Sequence, residues 1–147
     1  MNSQVGAASP DAIVLAALLE QGQTIHMASL ALALGTVVLA SQGVNGGPET
    51  VVCVIVAPAL LAEIYLAIRV GFDARLFRAL GESRLTLEAL DAGLAASGLL
   101  APEKATRTLQ PRFTGALHLF RMQVVCAILL AACLIAATGL RLFGAGG

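Results

Sequence analysis

Three stretches of the 147-residue chain, residues 25–41, 51–68 and 123–140, are apolar runs with few interruptions, and no other property constrains the fold as strongly. A bilayer core of roughly 30 Å needs about 20 mostly apolar helical residues, because backbone groups left unpaired in hydrocarbon are too costly for any other single-segment solution. Each run is at the short end of that range. The expected fold is therefore an all-α integral membrane protein with three transmembrane helices. Composition agrees: 58% hydrophobic residues, 12% charged residues and a mean hydropathy of +0.86 lie outside the soluble range. Nine basic and nine acidic residues cancel, so no basic field exists to hold nucleic acid. A disordered chain and a secreted disulfide scaffold are excluded on the same grounds.

The linkers set the orientation. Gly43, Asn45, Gly46 and Gly47 form a turn-rich run between the first two spans, and Pro48 is suited to open the next helix. The second connection, from Arg69 to Arg121, carries eight of the nine basic residues. The positive-inside rule puts this connection in the cytoplasm, hence the N-terminus inside and the C-terminus outside a bacterial-type inner membrane. The opening MNSQVGAASPDA has no basic region and no cleavage signature, so the first span is read as retained.

Residues 1–147 are expected to form one membrane domain whose helices continue past the lipid. Ser9, Pro10 and Asp11 suit an N-cap, a first helical position and a first-turn acid. Phe72, Leu76, Phe77 and Leu80 share a face beyond the second span, with Gly81 as the stop, and Gln110 with Pro111 marks the third helix start. Thr86 is placed to cap a short helix with Leu87, Leu90 and Leu94 on one face, Gly98 to end it, and Pro102 to begin a further turn. The segment of about 70–121 thus reads as a small helical cytoplasmic cap.

Polar residues inside the spans are the candidate site. Glu63, 12 residues after Val51, is the one acid placed in hydrocarbon, about 18 Å deep. An intramembrane carboxylate is expensive unless neutral, paired or wetted, which makes Glu63 a proton or cation candidate with Tyr65, Ser29 and Thr36 as company. Pro58 frees the carbonyl of Val54 nearby. A depth count puts His26 level with Arg69 and Arg121, and Glu20 level with His118, predicting a polar collar at the cytoplasmic boundary. Neither HExxH nor Glu-x-x-His spacing supports a metal on Glu20, His26, Glu63 and His118. Haem held by His26 and His118 is disfavoured by an axial offset of about 9 Å. Cys53, Cys126 and Cys133 form no CxxC pair, and Cys126 and Cys133 lie about 10 Å apart along one helix.

Small residues recur at four-residue spacing: Ala31 with Gly35, Ala127 with Ala131, and Ala132 with Ala136. Such spacing lets helices approach closely, within one chain or between chains. Phosphate-cradling glycine loops, nucleophile elbows and nucleophile–base spacings do not occur. The expected function is thus non-enzymatic assembly in the bilayer, as an accessory subunit of a membrane complex or a small homo-oligomer. The alternative is a proton- or cation-linked transporter or channel component using Glu63.

Overall fold

The computed structural model describes residues 10–42, 48–98 and 109–144. They form four helices: α1 (Pro10–Ser41), α2 (Pro48–Gly81), α3 (Leu87–Ala96) and α4 (Leu109–Gly144). The described residues contain no strand, and α1, α2 and α4 are each long and apolar enough to cross a membrane. At 32, 34 and 36 residues they measure about 48, 51 and 54 Å, well beyond a hydrocarbon core of roughly 30 Å. All three outrun the lipid, as their cap signals imply.

The three long helices pack mutually. Rising α1 numbers meet falling α2 numbers, with Ile13 at Gly81, Gly22 at Val70 and His26 at Glu63. Against α4 both numbers rise, from Gly22 at Gln123 to Gly35 at Leu134. The topology is up, down, up. Along α1, Ala12, Leu15, Leu19, Gly22, Ser29, Ala33 and Thr36 are buried. His26 completes this alternation of three and four, the repeat of helices packed at a shallow crossing angle. The opposite face, with Met27, Leu34, Val37 and Val38, is apolar and exposed, as a helix between protein and lipid requires.

Two apolar clusters fill the bundle. One holds Leu15, Ala16, Leu19, Val70, Ala74, Phe77 and Ala116 and lies toward the α1 N-terminus. The other, toward the α1–α2 connection, holds Ala33, Val56, Ala59, Leu130, Cys133 and Ala137.

Local signals mostly meet their expected roles. Pro10 and Pro48 open α1 and α2. Thr86 caps α3, its Oγ1 accepting the Ala89 N–H at 3.2 Å. Gly98 follows α3 at φ +67°, and Leu90 is buried. Pro58 lies within an unbroken α2. α2 ends at Gly81 as expected, and Ser83 just beyond it takes the left-handed conformation at φ 55°. A β-carbon on Gly81 would lie 2.6 Å from Ile13 Cγ1 and 3.1 Å from the Ile13 nitrogen. Its lack of a side chain lets the first turn of α1 rest on α2. The expectations on Ser9, residues 43–47, the side chains of Leu87 and Leu94, Cys53 and Pro102 lie outside the described residues.

Candidate functional site

Between the two apolar clusters the three long helices each contribute a polar side chain. Glu63 on α2 is fully buried, with both carboxylate oxygens engaged. Oε2 lies 2.8 Å from His26 Nδ1 on α1, and Oε1 accepts Gln123 Nε2 from α4 at 3.1 Å. The same Gln123 nitrogen donates to the Gly22 carbonyl at 2.9 Å. One carboxylate thereby ties all three helices. Isolated in an apolar interior an ionised carboxylate would carry a desolvation penalty of several kcal/mol, which hydrogen bonds to both oxygens offset.

Gly22 makes the junction possible. A β-carbon there would sit 2.9 Å from both Gln123 Oε1 and Val70 Cγ1, closer than real contacts allow. The glycine opens the space in which the Gln123 amide lies flat against α1 and meets a backbone carbonyl.

The Nδ1–Oε2 bond needs one proton between its two atoms, carried by the ring or by the carboxyl. The hydrogen bond at one ring nitrogen decides the state of the other. Glu63 therefore holds the Nδ1 edge of His26 inward, and Nε2 is the edge turned away. The His26 side chain is 21% exposed against 0% for Glu63. Nε2 has no partner among the described residues and is not sealed from the surface. Near the junction, Ser29 Oγ and Gln123 Oε1 are sealed without a partner among the described residues, as are Nε and one terminal nitrogen of Arg141 far along α4. Ser29 is one turn from His26 on α1 and fully buried.

His26 and Glu63 thus meet, whereas the depth count separates them. Counted from the hairpin ends of their helices, Ser41 and Pro48, each lies fifteen residues in, about 22 Å. Taking Val51 and Gln42 as the helix ends misplaces the two residues relative to each other by about one turn. The polar collar does not close as a ring for the same reason. Glu20 pairs with Arg78 of α2, and His118, Arg69 and Arg121 are exposed. Tyr65 is 61% exposed on the outer face of α2, away from the buried carboxylate. Thr36 donates to its own helix at Leu32 O, 2.8 Å. His26, committed to Glu63, and His118, exposed on α4, are not brought together. No group of three or more metal-ligating side chains occurs among the described residues.

Gln123 and Gly22 were missed by the sequence reading. The available signal was an amide at the first position of the third apolar run, since glutamines in such runs hydrogen-bond across helices. Compared with known family models, curated proteins and solved structures, the chain matches none.

Proposed function

We propose that this chain is a three-span inner-membrane protein that acts by assembly, as an accessory subunit of a membrane complex or as a small homo-oligomer. Its N-terminus is cytoplasmic and its C-terminus external. The observation that carries the reading is the outward position of the small-residue pair Ala132 and Ala136, both exposed on α4. Ala127 and Ala131 are half-buried, and Gly35 already meets Leu134 within the chain. Backbones in lipid associate where small side chains let them approach, and among the described residues no helix of the chain covers this face of α4.

Replacing both alanines with leucine tests the idea. The double variant should keep its helicity and lose its higher mass, or its bound partner, in native mass spectrometry from mild detergent. An unchanged mass distribution overturns the reading. Cysteines introduced in residues 82–98 should be labelled from the cytoplasmic side alone.

A second reading, an ion-linked transport or channel component, is favoured by one observation: the buried carboxylate connects to the surface of the bundle through a partly exposed histidine. Glu63→Gln separates the two, abolishing ion-coupled activity with assembly intact under the second reading and leaving nothing ion-coupled to lose under the first.

A further inference from the structure

We propose that the His26–Glu63 pair is a proton-binding site loaded from the bundle surface through His26 Nε2. The inference takes the ion-linked reading as its premise and names both the ligand and its entrance.

A proton fits the geometry and a metal cation does not. Both Glu63 oxygens are already hydrogen-bonded to nitrogens, at 2.8 and 3.1 Å, so a cation approaching either one would have to displace a hydrogen bond. The acceptors left without partners are Gln123 Oε1 and Ser29 Oγ. They lie at different levels, Gln123 beside Gly22 and Ser29 seven residues, about 10 Å, further along α1. Hard cations demand six or more converging oxygens. A proton needs one lone pair, and Nε2 supplies it.

Loading proceeds in one balanced step. A proton from water at the bundle surface bonds to the Nε2 lone pair. The proton between Nδ1 and Oε2 then stays on the ring, or crosses the 2.8 Å bond to the carboxyl. The pair goes from one net negative charge to neutral in either case, and loss of the Nε2 proton to water reverses it. The neutral state is the one a low-dielectric interior favours, while the Gln123 N–H steadies the carboxylate when the proton leaves. Gln23, three residues before His26 and exposed, can hold water on that side of α1.

Few other titratable groups compete. On α1, Glu20 is engaged with Arg78. On α2, Tyr65 and Arg69 are exposed, as are His118 and Arg121 on α4. Cys126 of α4 is half-buried, and Cys133 is buried in the next apolar cluster.

The test is a nuclear magnetic resonance titration of the full-length protein in lipid nanodiscs, with nitrogen-labelled histidine and carboxyl-labelled glutamate. His118→Gln removes the second histidine signal, and Glu63→Gln identifies the carboxyl signal. Over about pH 4 to 8 the His26 ring nitrogens and the Glu63 carboxyl carbon should move together with one shared midpoint, as a coupled pair does. In Glu63→Gln the carboxyl step disappears and the His26 midpoint changes. Separate midpoints in the wild-type chain, or no movement of either signal while helicity is retained, overturn the proposal. The wild-type titration needs no variant to fold. A shared midpoint without any ion-coupled activity in vesicles would sink the transport reading and leave the proton site standing.

Discussion

The two ends of the bundle are packed by different means. Toward the α1 N-terminus Leu15, Leu19, Val70 and Phe77 share the core with Ala16, Ala74 and Ala116, and Phe113 meets Phe77 edge-on, ring centroids 5.0 Å apart. The exterior of that end carries Arg75, Arg78, Arg84, Arg112 and the Glu20–Arg78 pair. Toward the α1–α2 connection the core is Ala33, Ala59, Cys133 and Ala137 around Val56 and Leu130. That end exposes Leu34, Val54, Ile55, Leu61, Ile128 and Ile135. Water and lipid reward different packing: water drives large apolar groups inward, whereas lipid tails are as apolar as leucine and leave close backbone approach as the main attraction. The Glu63 junction lies between the two clusters.

Substitutions can break this comparison. Phe77→Ala should have the largest effect, destabilising the bundle by about 3–5 kcal/mol through a cavity in the large-residue core, read by thermal unfolding in detergent. At the junction, Gln123→Leu strands Glu63 Oε1, at about 1–3 kcal/mol for the group left unpaired, while the Gly22 carbonyl keeps its acceptor place within α1. Gly22→Val should do similar damage from the other side, by forcing Val70 and Gln123 away. In the small-residue core the reverse change matters: Ala137→Leu should cost about 1–3 kcal/mol by overpacking. If Ala137→Leu were neutral, that end would not be held by close approach and the contrast would fail. Smallest of all, Glu20→Ala should change stability by about 0–1 kcal/mol, because its partner Arg78 is largely exposed.

Much of the fold was legible along the chain. Pro10, Pro48, Thr86 and Gly98 act locally, on their own backbone or within one turn, so their roles could be read from position alone. Glu63 was legible as a buried acid because one carboxylate in an apolar run stands out against the solvation cost. Its partners were harder to find. His26 could be matched to Glu63 only by knowing that the two helices meet at Ser41 and Pro48, and an error of three residues is nearly one turn. Tyr65 sits two residues from Glu63, yet two residues along a helix is about 200° of rotation, so it faces outward. Gly81 reads as a stop in sequence, but the first turn of α1 crosses it, a contact between residues 68 positions apart.

Hydrophobic run lengths and caps, being properties of single segments, determined that three long helices form and where they begin and end. Which polar groups share a space was decided only when the helices packed, because register and rotation between helices depend on side chains that meet across the bundle. The joining of His26, Glu63, Gln123 and Gly22 is such a case: only Glu63 stands out in its own helix, and its partners are set by the packing that encloses its carboxylate.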